Sequence, residues 1–111
     1  MRQFMTTVLE QRKDFDDIFE THPTEVAWAT EAIFFITVEK MNGQQADLEA
    51  KVQISPDGVN WTDEGTAFNS ISAPGQYFVR VSQFGGWLRL FGGVVGEQAS
   101  MNITVHLALK E

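Results

Sequence analysis

MNITVHLALK, residues 101–110, alternates apolar and polar side chains without a break. Met101, Ile103, Val105, Leu107 and Leu109 fall on one side of an extended chain. Asn102, Thr104, His106, Ala108 and Lys110 fall on the other. A period of two is the geometry of a β-strand with one face on a core and one toward water. LEAKVQIS, residues 48–55, repeats the pattern: Leu48, Ala50, Val52 and Ile54 inward, Glu49, Lys51, Gln53 and Ser55 outward. Two such runs make an all-β chain the starting expectation.

Working outward, AIFFITV (32–38) is apolar on both faces, with Ile33 and Phe35 on one and Phe34, Ile36 and Val38 on the other. A strand of that kind is covered on both sides or lies under a partner. QYFVRVS (76–82) sets Tyr77, Val79 and Val81 against Phe78, Arg80 and Ser82. GWLRLF (86–91) sets Leu88 and Leu90 against Trp87, Arg89 and Phe91. Weaker strands are expected at 25–29 (EVAWA) and 66–72 (TAFNSIS). Turn signals separate the runs: Asn42-Gly43, Asp57-Gly58, Pro74-Gly75, Gly85-Gly86 and Gly92-Gly93. Phe84-Gly85-Gly86 returns as Phe91-Gly92-Gly93, which brackets one short strand with glycine corners. At the N-terminus, QFMTTVL reads as a strand, while Phe15, Ile18 and Phe19 also fit one helical face. Strand, acidic loop, strand is the preferred reading, with Thr21-His22-Pro23-Thr24 as a break. The whole predicts a single domain over 1–111, an antiparallel β-sandwich, jelly-roll-like, of about seven or eight short strands.

Composition narrows the function classes. Of 111 residues, 43% are hydrophobic and 21% charged, which suits a packed core without staples. Cysteine is absent, which removes disulfides, thiol catalysis and Cys-based zinc sites. The net charge of −7 argues against a nucleic-acid partner, which calls for a basic stripe. Residues 1–64 hold 13 acidic and 5 basic side chains; residues 65–111 hold 2 and 3. The second part is therefore almost uncharged, and it is rich in Phe, Gly and Val. No stretch has signal-peptide or membrane-span character, so the expectation is a cytoplasmic or particle-associated protein with no membrane partner.

SPDGVNW, residues 55–61, is the sharpest local motif. Ser55, Pro56, Asp57 and Gly58 suit the four positions of a type I turn. The Asp57 carboxylate is placed to accept hydrogen bonds from amides just downstream, and Trp61 is placed to fold over the turn. Ser55, Asp57, Gly58 and Trp61 resemble the Asp-box turn of β-propellers, whose pattern runs Ser, any, Asp, any, Gly, any, Thr, Trp. This chain has one residue fewer between Asp and Gly. The stretch is also similar to the S-x-DG-x-x-W hairpin of discoidin-type sugar-binding β-sandwich modules. The resemblance covers some ten residues and implies a structural hairpin lock.

Candidates for chemistry are few. Trp28, Trp61 and Trp87 are the stacking surfaces a sugar would need; Trp87, beside Arg89 and Phe91, is the most exposed on this reading. Asp14, Asp16 and Asp17 cluster in DFDD without the glycine and distal glutamate of a calcium loop, so no metal is expected. His22 sits before Pro23 and His106 on the polar face of a strand. There is no nucleophile elbow, phosphate-cradling loop or metal-ligand spacing, so neither catalysis nor a cofactor is expected.

What remains is a surplus of apolar positions. Phe34, Ile36, Phe78, Trp87 and Phe91, with Arg89 beside them, exceed what one inward face per strand holds. Surplus faces of this kind are how a small sandwich packs against copies of itself. These six residues are therefore the expected interface of a non-enzymatic structural subunit, one that forms a homo-oligomer or decorates a larger particle. In size and class the chain resembles the small jelly-roll proteins that decorate virus and phage capsids, with no matched motif. The alternative is a carbohydrate-binding module that presents a glycan to Trp87.

Overall fold

The alternating run at the C-terminus is the end of a much longer strand. The computed structural model describes residues 4–82 and 84–111. Among them run seven antiparallel strands: β1 (Phe4–Phe15), β2 (Ile18–Glu20), β3 (Thr24–Glu25), β4 (Glu31–Ser55), β5 (Thr62–Ala67), β6 (Gly75–Ser82) and β7 (Trp87–Lys110). The described residues contain no helix. Strands β4 and β7 pair with each other from Glu31↔Lys110 to Ser55↔Trp87.

A strand as long as β4, fully extended, would span roughly 80 Å. The molecule's longest dimension is 46 Å, so the β4–β7 ribbon has to bend. The bend lies where the register shifts three times between Val38 and Asp47. Gly43, Gln45, Gly96 and Gln98 all take positive φ there. Gly43 is also packed tightly: a Cβ on it would lie 2.6 Å from the Ala99 Cα, closer than any side chain tolerates.

Bending turns one ribbon into two packed sheets. The first sheet orders β1, the C-terminal half of β7, the N-terminal half of β4, then β6. The second orders β2 and β3, the N-terminal half of β7, the C-terminal half of β4, then β5. Between them lies the core. Phe34, Ile36, Ile103, Val105, Leu107 and Leu109 come from the first sheet, and Leu48, Val52, Leu88 and Leu90 from the second; all are fully buried. Each such side chain contributes about 1.5–3 kcal/mol by leaving water. The fold is a jelly-roll-like β-sandwich, as the alternation predicts.

Three local expectations need correction. Asn42-Gly43 and Gly92-Gly93 are not turns between short strands; both lie inside the long ones. At Gly92 the missing side chain lets the Glu49 carbonyl oxygen come in where a Cβ would stand. The stretch 25–29 pairs only at its start, in β3. Val26 then turns in, buried, with its N–H on the Gly86 carbonyl at 2.7 Å. The stretch 66–72 leaves the ladder after Phe68, whose N–H donates to the Ala50 carbonyl at 2.9 Å, and touches it again at Ile71, which exchanges backbone hydrogen bonds with Leu48.

At the N-terminus the strand pattern prevails over the helical one: β1 runs to Phe15, Asp16 and Asp17 bend, and β2 follows. The Thr21–Thr24 break is bridged by a side chain. The Thr21 N–H donates to the Leu90 carbonyl at 2.9 Å, and the Thr21 hydroxyl accepts the Leu90 N–H at 2.9 Å.

Candidate interaction surface

Alternation along each strand leaves two outward faces, on opposite sides of the sandwich. The second sheet's face begins at the 55–60 turn. The Ser55 hydroxyl donates to Asp57 Oδ1 at 2.9 Å and accepts the N–H groups of Asp57 and Gly58 at 3.2 and 2.8 Å. Asp57 Oδ1 also accepts the N–H groups of Val59 and Asn60, each at 2.9 Å, and Oδ2 accepts the Asn60 amide at 3.0 Å. These donors hold the Asp57 carboxyl well below the usual carboxylate range, the Asn60 N–H most, then the Val59 N–H and the Ser55 hydroxyl.

The ring that meets Gly58 in this turn is Trp87. Trp87 pairs with Ser55 across the ladder, so its side chain emerges beneath the residues that follow Ser55. A Cβ on Gly58, whose φ is +79°, would sit 3.3 Å from that ring. Trp61 instead stacks on Arg89, whose guanidinium carbon lies 4.4 Å from the Trp61 ring. Trp28 is half-buried against the core.

Arg89 is tied down within the chain. Its Nη1 lies 3.0 Å from Glu20 Oε2 and its Nε donates to Gln53 Oε1 at 2.8 Å. Only 15% of its side chain remains exposed. Gln53 in turn donates to Asp63, and Lys51 lies 3.0 Å from the same carboxylate. The Gln53 amide first and the Lys51 ammonium second lower the Asp63 pKa. Phe91 is half-buried, with the Lys51 ammonium 5.7 Å from its centroid. Beside it opens a groove of about 470 Å³ lined by Ile18, Lys51, Phe68, Phe91, Gly93 and Val95.

The first sheet's outward face is simpler and more apolar. Register places Val8, His106, Phe35 and Phe78 side by side across all four strands. Ile33 and Arg80 lie in the next row, with Ala108 between Ile33 and Thr6. Phe4 is 65% exposed, Val8 48% and Phe78 50%. The Phe35 and Phe78 rings stand 6.0 Å apart, and the Arg80 guanidinium carbon lies 4.9 Å from the Phe78 centroid.

The six residues expected to form one interface therefore separate three ways. Phe34 and Ile36 are 0% exposed and belong to the core, so neither is free to meet a partner. Phe78 lies on the first sheet's outer face; Trp87, Arg89 and Phe91 lie on the second's. Phe35, Ile33, Val8 and Phe4 were missed. A wider window carries the signal: Glu31, Thr37 and Glu39 share the parity of Ile33 and Phe35, which marks that set as outward. Among the described residues, no group of three or more His, Asp or Glu side chains is arranged to hold a metal ion.

No protein-family model matches the chain, and no curated protein matches it by sequence. Solved structures do match in fold. The chain is similar to the SPBc2 prophage-derived protein YomS, with TM-score 0.60 and 13% identity, over 100% of this chain and 96% of that one. It is also similar to a chain in the structure of infectious bursal disease virus Gx strain, with TM-score 0.64 and 16% identity. That match covers 98% of this chain and 32% of the viral one, so this chain spans about a third of its length. At these identities the likeness is one of fold.

Proposed function

We propose that the chain is a non-enzymatic structural subunit that assembles with copies of itself, or onto a larger particle, through the outer face of its first sheet. One observation carries this reading. The row Val8–His106–Phe35–Phe78, with Phe4 and Ile33 beside it, is a largely apolar surface that the described residues leave partly or wholly exposed. Monomeric domains seldom leave contiguous apolar surface bare, and self-association is the common way to bury it. The second sheet's face is the poorer candidate, because Arg89, Lys51 and Trp87 are engaged there by neighbours in the same chain. The prophage and viral origin of similar folds supports the same direction.

Light scattering across a wide concentration range tests it. A mass that is a multiple of the 12.5 kDa chain is expected at micromolar concentration. A mass of 12.5 kDa, independent of concentration and salt, overturns the reading.

A further inference from the structure

The two sheets leave four strand edges, and the molecule treats them unequally. Strand β1 pairs regularly over Phe4–Val8 and then shifts register twice, with Arg12 at a φ of +46° and Lys13 beyond it. Strands β2 and β3 are 3 and 2 residues long, and Pro23 lies between them. Strand β5 carries Asp63, Glu64 and a Gly65 at a φ of +114°, and it bulges between Asp63 and Ala67 where its register against β4 shifts. Bulges, brevity, proline and charge are the devices that keep an edge from pairing with another chain. Strand β6 has almost none of them. Its 8 residues pair with β4 in unbroken register, from Ser82↔Glu31 to Gly75↔Val38, and Arg80 is its one charge. Among the described residues no backbone hydrogen bond outside the β4 ladder reaches it.

We infer that β6 is a dimerisation edge: it pairs antiparallel with the β6 of a second copy about a two-fold axis at Val79. The inference rests on the assembly reading and specifies its first step. The residue pattern selects the register. Outward residues stay opposite outward residues only if the axis passes through a residue and not between two. An axis at Arg80 sets two guanidinium groups face to face, which is repulsive. An axis at Phe78 sets Arg80 opposite Gln76. An axis at Val79 sets Phe78 opposite the partner's Arg80 and Gln76 opposite the partner's Ser82. It opposes no like charges and repeats, twice across the dyad, the Arg80–Phe78 cation–π contact already made within the chain at 4.9 Å. The result is a continuous eight-stranded sheet in which two copies of the Val8–His106–Phe35–Phe78 row lie on one side. An isologous pairing closes at two copies, so the edge is consumed and no fibre follows.

A swap experiment tests the register. Phe78→Arg sets a new guanidinium against the partner's Arg80 and is expected to raise the dimer Kd by about tenfold or more. The double variant F78R/R80F restores every pairing across the dyad and is expected to return the Kd to within about threefold of wild type. Amide hydrogen exchange on the wild type supplies a readout independent of any variant. Consecutive N–H groups from Gln76 to Ser82 are expected to be slow in the dimer, whereas a free edge shows every second one exchanging fast. If the wild type associates but Phe78→Arg leaves the Kd unchanged, or the swap fails to restore it while alternate β6 amides stay fast, this pairing is overturned and the assembly reading stands. A wild type that never associates overturns both.

Discussion

Asp57 and Gly58 show how much one turn can hold. The Asp57 carboxylate accepts from the Asn60 and Val59 N–H groups, the Asn60 amide and the Ser55 hydroxyl, and its pKa is lowered accordingly. A carboxyl depressed in the folded state stabilises it fully above its unfolded pKa of about 3.9, and that contribution is lost as pH falls toward the folded value. The Tm difference between wild type and Asp57→Ala is therefore expected to be full at neutral pH and to shrink steadily below about pH 4. A difference that stays constant into acid contradicts the hydrogen-bond assignment. Gly58→Val combines positive φ with a side chain driven toward the Trp87 ring, and should cost roughly 1–3 kcal/mol in urea melts. The turn chemistry was readable because Ser-x-Asp-Gly acts within four residues. The ring beneath it was not, because Trp87 arrives through a cross-strand register that no local window contains.

At the scale of elements, periodicity named the strands but not their lengths. Between Val38 and Asp47 the Asn42-Gly43 pair reads as a turn separating two strands. Here both strands of a ribbon bend together, and the glycine serves the bend. Gly43→Val is accordingly expected to cost about 2–4 kcal/mol, from positive φ and from collision with the Ala99 backbone. A hairpin-tip residue free in solvent would lose far less. Parity in β4 gives a paired test. Phe34→Ala should destabilise the fold by about 3–5 kcal/mol, whereas Phe35→Ala should cost roughly 1 kcal/mol. Equal losses in denaturant melts would contradict this assignment of faces, and a larger loss at Phe35 would mean it is the wrong way round. The sequence left this parity open only while the window stopped at Ala32 and Val38. Glu31 and Glu39 resolve it, since neither carboxylate can sit unpaired in the core.

For the whole molecule, the acidic first part and the nearly uncharged second part do not form two ends. They interleave strand by strand, because β4 and β7 lie side by side over their full length. That interleaving separates Phe78 from Trp87 onto opposite sides, although they are only nine positions apart in the chain. An excess of apolar positions was legible in the sequence; the side on which each emerges depends on the bend. The central claim is that the first sheet's outer face is covered when the protein assembles. Hydroxyl-radical footprinting, run at high concentration and again after dilution, measures that directly. Phe78 and Val8 are expected to be protected at high concentration and released on dilution, while Val59, 76% exposed in the turn that follows β4, reacts equally in both. Identical reactivity of Phe78 and Val8 at the two concentrations would contradict the account.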